Sequence, residues 1–280
     1  MKPSKILLAT DCSTFSSGAE REAINLAKRF NSELYILSVI ETNPEFAALA
    51  PGIFEKIEEK TRNLLNELRQ RAETEGIKSE IIIREGDEPY KLIIDEAQKK
   101  MCEIIIMGRR GRTGITRLLM GSVTARTVGH SPTNILIVPR AARIEFKNIV
   151  VATDASKFSE AAAKEAIQLA RETGANLYAI AVTRPDAPLE RIKESEDALM
   201  RINSECNKEG IKVETELVKN RPHERIYEAI IEFAKRHNAD LIVLGSHGRT
   251  GIQKLLMGSV AERVIGHAEV GILVVKVETV

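Results

Sequence analysis

One glycine-rich stretch has the residue types of an anion-binding loop. The sequence "MGRRGRTGITRLLMGSV" (107 to 123) contains Gly108, Gly111, Gly114, Gly121 and Ser122, together with Arg109, Arg110, Arg112 and Arg117. Glycine lets the backbone approach phosphate oxygens and adopt positive φ. A helix that begins after the loop would present its N–H groups and partial positive charge to an anion. Gly121-Ser122 predicts the N-cap of such a helix over "VTARTVG". The pattern therefore indicates phosphate binding.

The same stretch occurs a second time. Residues 244 to 260, "LGSHGRTGIQKLLMGSV", are identical to the first copy at 12 of 17 positions. A structural interpretation competes with the functional one, because these glycines could only turn the chain and Ser122 could only cap a helix, and a duplication preserves turns as well. The length of the connection favours function. Twelve residues separate Gly108 from Gly121, whereas connections in α/β units usually take about 2 to 6.

Polar residues outside the glycines give a nucleotide-binding hypothesis but no catalytic one. Asp11 and Asp154 each follow an apolar run and precede a helical pattern, which predicts a helix cap or turn, an acceptor for a base or ribose, or both. No second acid, lysine or histidine at a fixed spacing completes a catalytic set. His247 is predicted to be a solvated loop residue, with a phosphate contact as the alternative. His130 and His267, near helix ends, are predicted to interact with terminal carbonyl groups.

Several motif classes are absent. No Gly-Lys-Ser/Thr follows the glycines, and their spacing is not that of the dinucleotide fingerprint. No HExxH or other metal-ligand spacing occurs in the sequence, so we predict no metal site, and any Mg²⁺ is expected to arrive with nucleotide phosphates.

Composition narrows the partners. The 280 residues include 41 Lys plus Arg and 40 Asp plus Glu, a net charge of +1, which provides no global attraction to nucleic acid or an anionic membrane. Tryptophan is absent and aromatic residues are 4% of the chain, which argues against stacking of single-stranded nucleic acid. No apolar run approaches the ~18 residues of a membrane span, and the three cysteines form no CxxC pair. We expect a cytoplasmic protein with buried or half-buried thiols.

The elements that must position the glycine loop are also repeated. Residues 6 to 39 match residues 149 to 182, and within each copy β-branched runs such as "KILLAT", "ELYILSV" and "EIIIM" alternate with amphipathic segments. Near-continuous apolar strands separated by helices predict a parallel sheet covered on both faces. We therefore expect an α/β protein with two tandem doubly wound domains of five strands each, over residues 1 to 141 and 145 to 280. Gly76, Gly86 and Pro132 are predicted to separate helices from the strands that follow.

The combined pattern resembles the universal stress protein family over essentially the whole chain. The pattern begins with "ATD" after strand one. Two residues then separate Gly108 from Gly111, nine separate Gly111 from Gly121-Ser122, and "GRTG" lies inside the loop. The same spacing recurs at Gly245, Gly248 and Gly258-Ser259. The resemblance implies a Rossmann-like sheet in the order 3-2-1-4-5 and ATP at the ends of strands one and four.

The resemblance also implies the binding residues of each copy. Positions that match the family's adenine and ribose contacts are Thr10, Asp11, Val39, Met107 and Gly108, with Gly111, Gly121, Ser122 and Val123 around the phosphates. The second copy has Thr153, Asp154, Val182, Leu244 and Gly245, then Gly248, Gly258, Ser259 and Val260.

The copies differ at positions that affect charge. Arg109-Arg110 of the first loop is Ser246-His247 in the second, which lowers the fixed positive charge and predicts a weaker or altered second site. "EGDEP" (85 to 89) follows the family pattern, whereas Lys219 stands at the family's glycine in the second copy.

Three functional hypotheses follow. The first is a stress-response ATP-binding module with at most slow hydrolysis, whose domains pair within the chain as a pseudo-dimer, with a homodimer also open, and whose nucleotide state is read by a protein partner. The second is an ATPase or adenylate-forming enzyme of the adenine nucleotide alpha hydrolase-like fold. The third is a nucleotide-free structural or chaperone-like protein.

Overall fold

The computed structural model describes residues 2–42, 51–111, 120–221, 223–248 and 257–277. The chain divides into two compact units between Ala141 and Ala142, referred to below as the N-terminal and C-terminal domains. No helix in the described ranges is both long enough and apolar enough to cross a bilayer.

The N-terminal domain alternates strands and helices in the order that the sequence predicts. Its elements are β1 (Lys5–Ala9), α1 (Ser17–Phe30), β2 (Glu33–Glu41), α2 (Pro51–Thr74), β3 (Ser79–Gly86), α3 (Pro89–Lys99), β4 (Ile104–Gly108), α4 (Ser122–His130) and β5 (Asn134–Val138).

The C-terminal domain repeats this order. Its elements are β6 (Asn148–Thr153), α5 (Lys157–Thr173), β7 (Asn176–Thr183), α6 (Leu189–Lys208), β8 (Val213–Lys219), α7 (Ile226–Arg236), β9 (Leu241–Gly245), α8 (Ser259–His267) and β10 (Gly271–Val275).

Both domains contain a parallel sheet, which confirms the predicted fold class. The strand order is β3-β2-β1-β4-β5 in the N-terminal domain and β8-β7-β6-β9-β10 in the C-terminal domain. Ile104, Ile105 and Ile106 of β4 are fully buried, because helices cover both faces of a doubly wound sheet. The neighbours of β1 are β2 and β4, and Ala9 pairs with Leu37 and Met107. The carboxyl ends of these three strands therefore lie side by side.

Two of the three predicted separators are confirmed and one is wrong. Gly76 has φ +75°, a left-handed conformation that favours glycine, and it lies between α2 and β3. Pro132 lies between α4 and β5. Gly86, in contrast, is the last residue of β3 and precedes α3, so it marks a strand end and not a helix end.

The three cysteines are thiols and form no disulfide, as predicted. Cys102 and Cys206 are buried and Cys12 is half-buried. Burial raises the pKa of Cys102 to about 12 and that of Cys206 to about 11. Neither buried thiol is therefore a reactive nucleophile at neutral pH, because the thiolate is the reactive form.

Candidate functional site

An aspartate shapes the turn after the first strand of each domain. In the N-terminal domain, Asp11 Oδ1 accepts hydrogen bonds from Ser13 N–H at 3.1 Å and from the Ser16 hydroxyl at 2.6 Å. In the C-terminal domain, Asp154 Oδ1 accepts one from Ser156 N–H at 3.0 Å. These bonds define an Asx-type turn and confirm the turn role. The ligand-acceptor role of both aspartates stays a prediction.

The residue after each aspartate has an unusual backbone conformation. Cys12 has φ 57° and Ala155 has φ 61°, and each N–H donates to the preceding threonine hydroxyl, Thr10 Oγ1 at 2.9 Å and Thr153 Oγ1 at 3.2 Å. Left-handed residues other than glycine are uncommon. The turn thus has the same geometry in both domains despite the change from cysteine to alanine.

The second glycine of each loop lies against this aspartate. A Cβ atom placed on Gly111 would be 2.8 Å from Asp11 Oδ2, and one on Gly248 would be 2.8 Å from Asp154 Oδ2. A side chain at either position would displace the carboxylate. Glycine thus lets the loop backbone lie beside the aspartate at the end of the first strand without displacing its carboxylate.

The first glycine of each loop packs closely within its own domain, more tightly in the C-terminal domain than in the N-terminal one. A Cβ on Gly245 would lie 2.7 Å from the backbone C and O of Phe158, just inside α5. The equivalent Cβ on Gly108 would lie 3.3 Å from Phe15 O and 3.2 Å from Arg110 O. Sequence reasoning assigned these glycines to the ligand and missed their contact with the first helix.

The last glycine of the loop caps the helix that follows it. Gly121 has extended dihedrals, φ −67° and ψ 148°, and Ser122 is the first residue of α4. The cap is therefore Gly121, and the interpretation of Ser122 as a capping side chain is wrong. The first helical bond runs from Ala125 N–H to Gly121 O at 2.9 Å. The N–H groups of Ser122, Val123 and Thr124 precede it, as in any helix, and can bind an anion.

The C-terminal domain repeats this cap. Gly258 is the N-cap of α8, and Glu262 N–H donates to Gly258 O at 3.0 Å. The N–H of Gly258 donates to Ser246 O at 3.0 Å, as that of Gly121 donates to Arg109 O at 2.9 Å. Each loop thus closes on itself at the start of the helix.

The C-terminal domain has a cavity of about 540 Å³ at this place, within the usual size range of small-ligand sites. It is lined by all nine residues predicted for the second copy: Thr153, Asp154, Val182, Leu244, Gly245, Gly248, Gly258, Ser259 and Val260. Helices α6 and α7 add Arg191, Ser195, Ile226 and Ile230. The sequence-predicted set therefore lines one cavity, and its binding of a nucleotide stays a prediction.

The predicted residues of the N-terminal domain lie at the carboxyl ends of β1, β2 and β4 and at the start of α4. Thr10 and Asp11 follow β1, Val39 lies near the end of β2, Met107 and Gly108 end β4, and Gly111, Gly121, Ser122 and Val123 belong to the loop and helix. Thr10 N–H donates to Leu37 O at 2.9 Å, which joins the first two strand ends. Gly114, Arg112 and Arg117 lie outside the described residues.

Positive charge is distributed differently in the two domains. Arg109 and Arg110 of the first loop are half-buried. In the C-terminal domain Ser246 and His247 replace them, while Arg184 and Arg191, on the side of β7 and α6, line the cavity. The second site has lost positive charge in its loop, as the sequence indicates, but contains two arginines on another wall.

His247 is half-buried and packs against the first helix of its domain, a contact that the sequence does not predict. Its ring centroid lies 5.2 Å from that of Phe158, and its Nδ1 is 3.1 Å from the Ser246 hydroxyl. It also lines the cavity. His130 and His267 behave as predicted, because the Nδ1 atom of each lies 2.8 Å from the carbonyl oxygen four residues earlier in the last turn of its helix.

A glutamate below the first site has no counterpart in the second. The Thr10 hydroxyl donates to Glu20 Oε1 at 2.6 Å, and Ala163 occupies the matching position of α5. Burial raises the pKa of Glu20, opposed by the Thr10 hydrogen bond and by Arg71, and the Asp11 charge adds to the rise. Glu22, the other acid of α1, is buried as well, and nothing in the sequence pattern indicates which of the two contacts Thr10.

This pKa shift predicts a pH-dependent stability. Because the folded pKa of Glu20 lies above its ordinary value of 4.5, its contribution is fully present below pH 4.5 and is lost as pH rises through the folded pKa. Glu20→Gln keeps an acceptor for Thr10 and removes the charge. We expect Glu20→Gln to raise the urea midpoint at pH 7 but not at pH 4, with Glu59→Gln, an exposed change on α2, as control. Equal gains at both pH values would contradict the prediction.

Both domains match the same protein family. A family model described as the universal stress protein family matches residues 3–139 and again 145–276. A universal stress protein of Mycolicibacterium smegmatis is 25% identical over 288 aligned positions, which cover 97% of the chain and 96% of that protein. One of Methanocaldococcus jannaschii is 40% identical over 144 positions, 47% of the chain and 82% of that protein.

A solved structure also matches the full length. The crystal structure of a universal stress protein from Archaeoglobus fulgidus has a TM-score of 0.78 and 26% sequence identity, and the match covers 99% of the chain and 97% of that structure.

Proposed function

The chain belongs to the universal stress protein family, and on that premise we propose that it binds ATP in each of its two domains. The observation that supports this most strongly is the cavity of the C-terminal domain, which is lined by all nine residues chosen from sequence. Its loop glycines and the N-terminus of α8 offer backbone N–H groups to phosphates. Val182 and Leu244 provide apolar surface for a base, and Asp154 provides an acceptor.

The protein's role follows from the same site. Asp154 and Asp11 each hold a backbone turn through one oxygen, which favours positioning over acid-base chemistry, so any hydrolysis is slow. Mg²⁺ enters bound to the nucleotide phosphates. We place the protein in the cytoplasm as a stress-response module whose domains pair within one chain and whose nucleotide state is read by a protein partner.

Calorimetric titration of nucleotide-stripped protein with ATP and Mg²⁺ tests the proposal. Two sites per chain are expected, with unequal affinities because the two loops differ in charge. Titrations with ADP, AMP and cyclic AMP then show how much the phosphates contribute. Absence of binding by every nucleotide would overturn the proposal, whereas rapid ATP turnover lost in Asp11→Ala would favour the enzyme hypothesis.

Cys12 provides a reporter specific for the N-terminal site. It follows Asp11 in the first-strand turn and is half-buried, whereas Cys102 and Cys206 are buried with raised pKa values. At pH 8 we expect a maleimide or Ellman reagent to label Cys12 much faster than the other two thiols. Saturating MgATP is expected to slow this labelling severalfold, because the nucleotide would cover the turn.

A matched reporter is available for the C-terminal site. Ala155 has the same left-handed conformation as Cys12, so Cys12→Ala combined with Ala155→Cys moves the thiol to the second site without a change of backbone geometry. Protection of both reporters by MgATP would support two sites. If calorimetry finds two sites but MgATP leaves the labelling rate of Cys12 unchanged, the placement of the nucleotide beside Asp11 is wrong.

A further inference from the structure

We propose that the C-terminal domain contains a site for a divalent transition-metal ion of the Zn²⁺ class between β8 and the end of α7. In the described part of the chain, one group of three potential metal ligands is close together: Glu214, Glu216 and His237, whose ligand atoms all lie within 4.8 Å of one another. Glu214 and Glu216 are two residues apart on β8 and share a face. His237 is the C-cap of α7.

This group is separate from the nucleotide cavity. Glu214 and Glu216 lie in the first four residues of β8, which is the edge strand of the domain's sheet. The cavity is lined by residues from the carboxyl ends of β6, β7 and β9 and by Ile226 and Ile230 from the first half of α7. His237 follows the last residue of that helix. The metal proposal therefore does not depend on nucleotide binding.

Aromatic packing holds the His237 ring in place. Its centroid lies 4.2 Å from that of Tyr178 and 4.5 Å from that of Phe233, and the side chain is 14% exposed. Its Nε2 atom is shielded from solvent and has no hydrogen-bond partner among the described residues. A buried imidazole nitrogen without a partner is unfavourable. Its position among carboxylates points to a missing ligand.

The distances suit a bound metal better than a direct hydrogen bond. His237 Nε2 is 3.8 Å from Glu214 Oε1, too far for a hydrogen bond. Two ligand atoms on a tetrahedral Zn²⁺, each with a bond of ~2.0 to 2.2 Å, are about 3.4 Å apart. Small rotations of Glu214, which is 61% exposed, would reach that spacing.

The donor set determines the class of metal. One imidazole and two carboxylates suit Zn²⁺ or a similar first-row ion, whereas Mg²⁺ and Ca²⁺ prefer oxygen ligands alone. Glu216 Oε2 accepts a hydrogen bond from Arg236 at 2.7 Å, which orients the carboxylate and leaves its other oxygen for the metal. Three protein ligands leave the fourth position to water.

The N-terminal domain contains a protein cation at the equivalent place. Glu80 pairs with Tyr35 of β2 in the register in which Glu214 pairs with Tyr178. The C-cap of α3 is Lys100, whose Nζ lies 2.7 Å from Glu80 Oε1 and 4.9 Å from the Tyr35 ring centroid. A lysine thus neutralises Glu80 and lies over the tyrosine.

The C-terminal domain has replaced this lysine with His237 and added a carboxylate. Glu216 pairs with Ile180 of β7, as Ile82 pairs with Leu37 of β2, so Glu216 replaces an apolar residue. Exchange of a fixed cation for imidazole, together with one more negative charge, is the change that a bound metal cation would compensate.

The test uses the full-length, metal-free protein without a histidine tag, titrated with Co²⁺ and then Zn²⁺ in the absence of nucleotide. We expect one Co²⁺ per chain with visible ligand-field absorption that Zn²⁺ abolishes by displacement. His237→Lys with Glu216→Ile reproduces the N-terminal residues and should weaken binding at least about tenfold, since even outer-shell changes cost about 10- to 100-fold. Circular dichroism and MgATP titration verify that this variant is folded.

Two further variants make the result decisive. Glu214→Gln alters only an exposed side chain and should also weaken binding if the double variant does not fold. Lys100→His with Ile82→Glu should add a second Co²⁺ site in the N-terminal domain. The proposal is overturned if the wild type binds no Co²⁺, or if folded His237→Lys with Glu216→Ile, or Glu214→Gln, binds Co²⁺ with unchanged affinity and spectrum.

Discussion

Replacement of Gly121 by alanine is expected to weaken ATP binding at the N-terminal site by more than about tenfold while leaving the fold intact. An added Cβ would lie 3.5 Å from Arg110 Cα and 3.7 Å from Gly111 N, which are ordinary van der Waals distances. The protein itself therefore has room for the methyl group. The methyl group would lie beside Gly111 N, whose N–H we propose as a phosphate donor, so we expect the methyl group and the phosphate to compete for space.

Ser122→Ala, combined with Gly121→Ala, should add a smaller loss. The serine hydroxyl would be one donor to the phosphates, and removal of such a donor costs on the order of 1 kcal/mol or more, about fivefold in affinity. Since Ser122 is the first residue of α4 and does not cap it, its loss should cost the helix little. Thermal unfolding separates these effects on binding and stability.

The chain provides matched controls for this experiment. Gly258→Ala with Ser259→Ala places the same changes in the C-terminal domain and should remove the other calorimetric site. Gly52→Ala, on α2, meets no atom within 4 Å of the added Cβ and should change neither site. Unchanged ATP affinity in a folded Gly121→Ala variant would show that the phosphates do not lie against the loop.

The succession of strands and helices along the chain could be predicted from sequence because its signals are local and repeated. The β4 segment, Ile104–Gly108, and its counterpart Leu241–Gly245 are short and apolar, and the helices between strands have charged outer faces. Resemblance to a family then supplied the order of the strands, which periodicity alone does not determine. The same resemblance supplied the site residues, and the fold explains why they lie together, because parallel strands place their carboxyl ends at one edge of the sheet.

The contacts around the site could not be predicted, because they join residues without a shared local pattern. The bond between Thr10 and Glu20 depends on how α1 lies on the sheet. The position of His247 depends on Phe158, which is distant in sequence. A histidine in a glycine loop is most often solvated, and only the packing of this loop against α5 places the ring along the cavity wall.

The two sites differ in their electrostatics as a result. The first has Arg109 and Arg110 in its loop and the half-buried Glu20 beneath Thr10. The second has lost all three charges and instead contains Arg184 and Arg191 on another wall of its cavity. A polyphosphate bound to the loop would be favoured more by the first arrangement. This supports the expectation of unequal ATP affinities. ADP and AMP, which carry fewer phosphates than ATP, should therefore compete better with ATP at the second site than at the first.

The second large effect is a loss of stability that should differ between the two domains. Gly245→Ala would place a Cβ 2.7 Å from the Phe158 backbone, and a backbone atom cannot move aside as a flexible side chain can. We expect a loss of about 1 to 3 kcal/mol in the free energy of unfolding, typical of overpacking. Gly108→Ala should cost less, because its nearest contacts are 3.2 and 3.3 Å and alanine reduces the entropy of the unfolded chain.

Urea unfolding measures the stability of the Gly245→Ala and Gly108→Ala variants, and peptide-resolved hydrogen exchange locates the change in each. In Gly245→Ala, amide protection should fall in β9 and α5, the elements that the new methyl group would push apart. In Gly108→Ala, the smaller change should be confined to β4 and α1. Equal losses in the two variants would mean that the backbone around Phe158 relaxes as easily as that around Phe15. If both losses were also close to zero, packing would explain neither glycine, and a ligand would be the remaining reason to exclude a side chain.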